Sequence, residues 1–247
     1  MASTPYPLRV TLDLLRWGGE RLRIGAWRGD AHVAYVAPLA GTPSPTADIV
    51  GRSCAVLAER GYVEVITAAL GPVEAQGFVA AGFEIRERLH LLDHDLGDLR
   101  PMAAVELRRA RRTDRADVLA IDRRAFSRFW HLEEVGLAEA LTATPSTRFR
   151  VAAPGSTIAR GGRLEGYAVS GRAGRRGFLQ RLAVEPADRG RGVGTALVLD
   201  ALYWMRRRGV DRAVVNTQES NQAALALYES VGFRRQRDGL AVLRTTL

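Results

Sequence analysis

Hydrophobic and polar residues in the second half of the chain follow strand and helix periods in alternation. The helix after Asn221 has apolar residues at i, i+3, i+4 and i+7, and a longer helix runs from about Gly192 to Arg208. In chain order we predict strands at 105–110, 149–152, 164–169, 177–184 and 213–216, a further helix starting at 113–114, and a turn at Gly161–Gly162 within a strand meander. The pattern predicts an α/β domain.

Charge divides the chain near residue 100. Residues 1–100 contain 10 arginines and 12 acidic residues, whereas residues 101–247 contain 26 arginines and 15 acidic residues. The change falls at the polar run from His94 to Arg100, which Pro101 ends, and such a run is typical of a linker. We therefore predict two domains, at residues 1–100 and 101–247.

Composition excludes several kinds of chemistry. All 36 basic residues are arginines, so a Schiff base, a P-loop lysine and a lysine general base are ruled out. The single cysteine, Cys54, rules out a disulfide framework and a cysteine-rich zinc site, and we expect no metal. The sequence contains no apolar run long enough for a membrane span, and residues 1–10 lack a signal-peptide pattern. We expect a cytoplasmic protein without a membrane partner.

The segment that joins the strand 177–184 to the next helix carries the clearest chemical signal. The run from Arg189 to Gly194 alternates glycine with arginine or valine. Its glycines let backbone amides approach a ligand at the positive end of the helix dipole, and its arginines add charge-assisted hydrogen bonds. The run predicts a diphosphate-binding loop, and a glycine-rich connection without a ligand is the alternative. A Rossmann site does not fit, because the strand follows a hairpin meander.

Two motifs together resemble the GNAT superfamily of N-acetyltransferases. Arg189-x-x-Gly192-x-Gly194 matches the acyl-CoA diphosphate signature of that family, and Leu182-Ala183-Val184 matches the strand before it. The downstream run Asn221-x-x-Ala224-x-x-Leu227-Tyr228-x-x-x-Gly232-Phe233 matches its second marker. The resemblance covers residues 105–247 and implies a central mixed β-sheet flanked by helices. It also implies transfer of an acetyl group from acetyl-CoA to a primary amine in a ternary complex.

The resemblance assigns roles to individual residues. Asn221 would touch the pantetheine, and Tyr228 would protonate the departing thiolate. The backbone of the strand before the loop would pair with the pantetheine, and one of its amides would polarise the thioester carbonyl. The implied cofactor-binding residues are Leu182, Ala183, Val184, Arg189, Gly190, Arg191, Gly192, Val193, Gly194, Thr195 and Asn221. A core tyrosine is the alternative interpretation of Tyr228.

The base and the acceptor site are the least defined parts of the implied reaction. Family members often carry a glutamate where this sequence has Phe178 and Asn216, and we expect Glu185 and Glu219 to be solvated loop residues. A water-relayed deprotonation is one solution. The acceptor would lie over the loop after the first helix of the domain, near Phe126, Phe129, Trp130, His131 and Glu133. A packed helix junction is the alternative interpretation of these five residues.

The first hundred residues repeat the C-terminal order of strand, helix, Gly-Phe and strand. The elements are a strand at 63–70, a helix at 73–81, Gly82-Phe83 and a strand at 85–92. Alignment with Gly232-Phe233 sets Phe78 opposite Tyr228. The loop at 38–47 has no Arg-x-x-Gly-x-Gly, and its prolines lack the amides that a diphosphate needs. We therefore predict a smaller, degenerate GNAT-like domain that is not catalytic, as in tandem GNAT proteins with one active half.

Two other functions stay open at this point. The missing carboxylates motivate a pseudoenzyme that binds acyl-CoA or serves as a scaffold. The arginines at 108–112 and 206–208 motivate nucleic-acid binding. We favour a solvated face and a helix C-cap over this function, because no nucleic-acid motif accompanies the charge and the anion loop uses part of it. The expected partners are acetyl-CoA or CoA and a small-molecule or peptide amine. The acceptor and the oligomeric state stay open.

Overall fold

The structure is a computed structural model that describes residues 13–102, 104–153 and 163–247. The expectation for residues 1–10 and the predicted Gly161–Gly162 turn lie outside the described residues. In chain order the elements are β1 Asp13–Trp17, β2 Glu20–Ala26, β3 Val33–Pro38, α1 Ala47–Glu59, β4 Glu64–Thr67, α2 Pro72–Ala80, β5 Glu84–His94, β6 Leu107–Arg109, α3 Arg115–Ala125, α4 Glu134–Thr142, β7 Ser146–Ala152, β8 Gly166–Ala173, β9 Arg176–Val184, α5 Val193–Arg207, β10 Arg212–Gln218, α6 Gln222–Ser230, β11 Arg234–Arg235 and β12 Leu240–Thr246.

The chain divides into two compact units. Unit 1 consists of the described residues up to Leu91 together with 216–220 and 236–247, and unit 2 consists of the described residues of 92–215 and 221–235. The units are not two consecutive stretches of chain, because β12 pairs with β4 and β5 inside unit 1. Among the described helices, none is long and apolar enough to cross a bilayer.

Unit 1 is built on a mixed sheet in the order β1-β2-β3-β4-β12-β5. Neighbouring strands are antiparallel except for β3 and β4, which run parallel. Its core contains Leu22, Leu57 and Phe78, all fully buried, together with Leu243 from β12. The last strand of the chain therefore completes the core of the first unit.

Unit 2 contains the predicted meander. The strands β6, β7, β8 and β9 are antiparallel neighbours, and β10 joins β9 in parallel. Alternate residues of β8 belong to different core clusters, with Ala168 beside α5 and α6 residues and Tyr167 beside α3 and α4 residues. Because alternate side chains of a strand point to opposite faces, helices flank both faces of this mixed sheet.

The run predicted as a linker is part of the core of unit 2. His94 is 4% exposed and Leu96 is 3% exposed, and Leu96 packs in the same cluster as Leu197 and Tyr228. The run predicted as a linker therefore contributes buried side chains to unit 2. The linker prediction rested on the polar residues Asp95 and Asp98, which are exposed, whereas His94 and Leu96 on either side of Asp95 are buried.

The predicted repeat is present in the backbone. Gly82 and Gly232 have φ of 91° and 101°, values that favour glycine, and each ends the helix before it. Phe83 N donates to Phe78 O and Phe233 N donates to Tyr228 O, both at 3.0 Å. The two turns are thus built alike, and Phe78 occupies in α2 the place that Tyr228 occupies in α6.

Candidate functional site

The loop between β9 and α5 presents unpaired backbone amides. Gly190 and Gly192 have φ of 77° and 82°, which other residues rarely adopt, and Gly192 is the N-cap residue of α5. No side chain among the described residues caps this helix, and Ala196 N is the amide that bonds back to Gly192 O, at 2.9 Å. The N–H groups of residues 193–195 therefore have no partner within the helix and face a potential anion.

Gly194 allows the first turn of α5 to pack closely. A Cβ atom at this position would lie 3.0 Å from Leu227 Cδ2 on α6 and 3.5 Å from Val184 Cγ2 on β9. A larger side chain would push α5 away from its neighbours. The third glycine of the motif thus serves packing, whereas Gly190 and Gly192 serve the backbone conformation.

A buried carboxylate lies behind the loop and holds two arginines. Asp188 is 1% exposed, and its Oδ1 lies 3.1 Å from Arg191 Nη1 while its Oδ2 accepts from Arg163 Nη2. The side chains of both arginines remain mostly exposed, so their other N–H groups can reach a ligand. Arg189 lies beside them, with Nη2 3.5 Å from Ala125 O. Sequence reasoning named Arg189 and Arg191 but missed Arg163, which no motif marks.

Glu185 is not the solvated loop residue that we expected. Its side chain is 9% exposed, and both of its oxygens accept from Arg124, with Arg124 Nη2 2.6 Å from Oε2. The expectation is wrong because Arg124, 61 residues earlier in the chain, reaches the turn from the end of α3. Glu185 is therefore already engaged as a structural anion next to the loop.

The strand before the loop has an open side. Pairing between β9 and β10 covers three positions and ends at Phe178 opposite Val214. Beyond this point, the described residues place no strand beside Leu182, Ala183 and Val184 on the β10 side, although β8 pairs with them on the other. This arrangement leaves backbone groups of β9 available to an extended ligand.

Tyr228 lies near the end of α6, and Asn221 lies at its start. The Tyr228 ring is 5.7 Å from the ring of Phe233, and the residue is 5% exposed. Burial raises the pKa of Tyr228 above its ordinary value, and the charge of Arg181 acts in the opposite direction. The Asn221 side-chain oxygen accepts from Ala224 N at 3.2 Å and caps the helix, which leaves its NH₂ group to donate elsewhere.

A buried ion pair anchors the loop between α3 and α4. Asp122 is fully buried and accepts from Arg181 Nε at 2.7 Å, from Arg181 Nη2 at 2.8 Å, from Leu132 N at 2.7 Å and from the Tyr167 hydroxyl. Arg181 Nη2 also donates to Trp130 O. Burial opposes the charge of Arg181, but the hydrogen bonds and charge of Asp122 raise its pKa. The pair therefore ties β9 to the loop where the acceptor is expected.

The residues predicted for the acceptor fall into two environments. The Arg181 guanidinium lies 3.7 Å from the centre of the Phe126 ring, and the Phe129 and Trp130 rings are 4.9 Å apart at 85°. Glu133 is mostly exposed and lies 3.9 Å from Arg123, away from this buried group. His131 contacts Phe126 O with Nε2 at 3.0 Å. Phe126 and Trp130 thus contact Arg181 of the ion pair, Phe129 packs on Trp130, and the role of these residues toward an acceptor stays a prediction.

The described part of unit 1 has no counterpart of the anion loop. At the start of α1, Thr46 N donates to the Glu20 carboxylate at 3.2 Å. A carboxylate of the chain itself therefore faces the helix end that would have to accept a diphosphate. Among the described residues, no group of three or more His, Cys, Asp or Glu side chains could hold a metal ion in either unit.

Comparison with known proteins identifies the type of domain. Residues 115–233 match the model of the acetyltransferase (GNAT) family. A mycothiol acetyltransferase from Thermobispora bispora is 29% identical over 91% of this chain and 85% of its own length. N-alpha-acetyltransferase 30 from Xenopus laevis is 43% identical, but over 26% of this chain and 23% of that protein. The second similarity therefore concerns a short segment.

Solved structures show the same fold over nearly the whole chain. A tandem GNAT protein from the clavulanic acid biosynthesis pathway superposes with a TM-score of 0.71 at 16% identity and covers 98% of this chain and 84% of its own. A GCN5-related N-acetyltransferase from Sphaerobacter thermophilus gives a TM-score of 0.61 at 15% identity and covers 91% of this chain and 76% of its own. The tandem arrangement predicted from the repeat is thereby confirmed at the level of the fold.

Proposed function

Because residues 115–233 belong to the GNAT acetyltransferase family, we propose that this chain transfers an acetyl group from acetyl-CoA to a primary amine by direct attack in a ternary complex. The observation that carries the proposal is the start of α5, where the amides of residues 193–195 have no helical partner and lie next to Arg189 and Arg191. A diphosphate has the charge and the oxygen acceptors that such a turn binds.

The open side of β9 supports the placement of the pantetheine. Its amide groups would pair with the backbone of Leu182 and Val184 as an added strand would, with Ala183 between them. One backbone N–H of this stretch would donate to the thioester oxygen and stabilise the negative charge that develops there. The free NH₂ group of Asn221 would donate to a pantetheine carbonyl from the start of α6.

The reaction replaces the C–S bond of the thioester with a C–N bond and moves one proton from nitrogen to sulfur overall. The amine nitrogen attacks the thioester carbon, the C–S bond breaks, and the nitrogen loses one proton while the sulfur gains one. The raised pKa keeps the Tyr228 phenol protonated at neutral pH, so it can donate to the departing sulfur. Phe178 and Asn216 carry no carboxylate, and Glu185 is bound to Arg124, so we propose that water removes the proton from nitrogen.

The proposal leaves two acceptor classes to test. The relative from Thermobispora bispora is a mycothiol acetyltransferase and supports a small-molecule amine. The relative from Xenopus laevis is an N-alpha-acetyltransferase and supports a peptide α-amine. A panel of an amino sugar, a polyamine and a short peptide with a free N-terminus represents both classes.

The first experiment measures cofactor binding and turnover. Acetyl-CoA at about 100 times its dissociation constant should stabilise the protein by about 2.7 kcal/mol, which a thermal shift detects. Release of the CoA thiol can be followed with a thiol reagent, because burial raises the pKa of the Cys54 thiol to about 11 and keeps it unreactive. No thermal shift with millimolar acetyl-CoA would contradict the proposal.

The second experiment tests Tyr228. Tyr228→Phe should lower kcat by about 10²-fold and leave the thermal shift with acetyl-CoA unchanged, because the hydroxyl acts on the leaving sulfur. Tyr203→Phe is the matched control. Tyr203 lies on α5, where its hydroxyl donates to Arg100 O at 3.0 Å, and its replacement should change neither kcat nor the thermal shift. Equal kcat for wild type and Tyr228→Phe removes the proton-donor assignment.

A specific observation also supports a second candidate function. No carboxylate stands at Phe178 or Asn216, and Glu185, the carboxylate nearest to Phe178 in sequence, is engaged by Arg124. A domain with the anion loop but without a base would serve as an acyl-CoA-binding module. Acetyl-CoA binding without turnover on any amine of the panel would favour this module over the transferase.

A further inference from the structure

We propose that His94 is a positioning residue that fixes the last turn of α6 and thereby the ring of Tyr228. The proposal deepens the proposed function and rests on it, since Tyr228 is the group that acts on the leaving sulfur. His94 comes from the end of β5, in a stretch of sequence that reads as a linker, and no motif marks it.

Both ring nitrogens of His94 are used. Leu96 N donates to Nδ1 at 2.8 Å, and Nε2 lies 3.1 Å from Val231 O. Because Nδ1 accepts, the imidazole proton is on Nε2, which donates to the carbonyl of Val231. Val231 is the C-cap residue of α6, where carbonyls have no partner within the helix. His94 therefore supplies a hydrogen bond that the helix cannot make itself.

Two routes connect this contact to Tyr228. The His94 ring meets the Phe233 ring at 5.3 Å and 75°, and the Phe233 ring lies 5.7 Å from that of Tyr228. Along the backbone, Val231 N donates to Tyr228 O at 3.2 Å. A shift of the last turn of α6 would therefore move the phenol, and a displacement of about 1 Å at a reacting group can cost about 10²-fold in rate.

The fit is close at Gly232. A Cβ atom there would lie 2.9 Å from His94 Nε2, so the imidazole occupies the space that glycine leaves open. The corresponding turn of unit 1 provides an internal comparison. Gly82 adopts a similar φ and closes the same turn, but a Cβ atom at Gly82 would meet nothing within 4 Å. The turn in unit 1, which follows Phe78, thus forms without a histidine. The turn in unit 2, which follows Tyr228, contacts His94.

The position of the phenol can be observed without knowledge of the acceptor. In protein labelled with 3-fluorotyrosine, ¹⁹F NMR reports each tyrosine ring, and Tyr228→Phe identifies the Tyr228 signal. His94→Leu should shift or broaden that signal in the folded protein, and His94→Gln, which keeps a side-chain donor for Val231 O, should shift it less. An unchanged Tyr228 signal in folded His94→Leu overturns the proposal. If His94→Leu does not fold, His94→Phe, which keeps an aromatic ring but has no donor for Val231 O, provides the same test.

Turnover separates positioning from loss of stability. With acetyl-CoA and the best amine of the panel, His94→Leu should lower kcat at least 10-fold and change the KM for acetyl-CoA less than twofold, with partial recovery in His94→Gln. In the Tyr228→Phe background, His94→Leu should cause no further loss of kcat. The control Ser53→Ala removes a buried hydrogen bond of 2.8 Å to Ile49 O in unit 1 and should leave kcat and the Tyr228 signal unchanged.

The outcomes distinguish the two proposals. A wild-type protein that neither binds acetyl-CoA nor acetylates an amine defeats the proposed function, and the Tyr228 signal still decides whether His94 positions the ring. Wild-type turnover that His94→Leu leaves intact, or a loss of kcat that persists unchanged in the Tyr228→Phe background, overturns the positioning role of His94.

Discussion

Replacement of Asp122 by asparagine tests whether the buried ion pair organises the site. The asparagine has the same shape, but it removes the charge and places an NH₂ group among donors. Four donors point at the two carboxylate oxygens of Asp122, from Arg181 twice, from Leu132 N and from the Tyr167 hydroxyl. Each oxygen accepts from two of these donors, so the oxygen that becomes NH₂ is lost as an acceptor for two of them. Arg181, whose side chain is 12% exposed, also loses its counter-charge.

The magnitude follows from the burial of the pair. Removal of one partner of a buried ion pair costs about 3–5 kcal/mol, because the other charge stays buried and unpaired. For a protein of this size each kcal/mol lowers the melting temperature by about 2–4 °C, so Asp122→Asn should lower it by about 6–20 °C. The matched control is Asp211→Asn, which breaks the solvent-exposed pair with Arg175 and should leave the melting temperature nearly unchanged, because water screens exposed pairs.

Thermal unfolding of three variants and wild type separates the effect of charge from that of packing. Asp122→Asn, Asp211→Asn, and the double replacement Asp122→Leu with Arg181→Met are compared with wild type. The double replacement removes both charges and should recover much of the lost stability, since apolar residues can substitute for a buried pair. It should not recover turnover, because Trp130 O and Leu132 N lose the contacts that hold the α3–α4 loop. A loss below 1 kcal/mol in Asp122→Asn would refute the reasoning.

Two further predictions concern the loop and the response to acid. Gly192→Ala forces alanine into a φ of 82° and should cost about 1–2 kcal/mol in stability and reduce the thermal shift with acetyl-CoA; a full shift would show that the loop conformation does not bind the diphosphate. The Arg108 guanidinium lowers the pKa of Asp114, so the pair stabilises the fold above the ordinary carboxylate pKa of about 4 and this contribution is lost as pH falls below it. Asp114→Asn should therefore melt below wild type at pH 7, and the difference should shrink as the pH is lowered below about 4. A difference that stays constant from pH 7 to pH 2 would contradict the assignment.

Local sequence patterns predicted most elements of unit 2, but they did not predict which distant strands pair with each other. The meander and the helices α5 and α6 lie where their periods indicate, because each pattern is contained in consecutive residues. The placement of β12 could not be predicted in this way. Its partners in β4 and β5 lie more than 150 residues earlier, and a strand pattern does not state which edge it joins.

The candidate site shows the same difference between features built from neighbouring residues and features built from distant ones. The backbone conformation of the loop at 189–194 could be predicted because its glycines mark that conformation, and its binding of a diphosphate stays a prediction. The side chains that support the loop come from far away in sequence, with 59 residues between Asp122 and Arg181 and 137 between His94 and Val231. Arg124 and Glu185 are a similar case, and here burial reversed the expectation for Glu185.

Unit 1 contains the same turn as unit 2 without the residues proposed for the reaction. It keeps the strand, helix, Gly-Phe and strand of the repeat, and Phe78 packs on Phe83 at 5.3 Å as Tyr228 packs on Phe233. The hydroxyl is absent, and Glu20 faces the start of α1 with a negative charge. The packing of the two helix ends is therefore independent of the phenol, since phenylalanine satisfies it in unit 1. Because packing does not require the hydroxyl of Tyr228, its presence in unit 2 supports the proton-donor role that we propose for it.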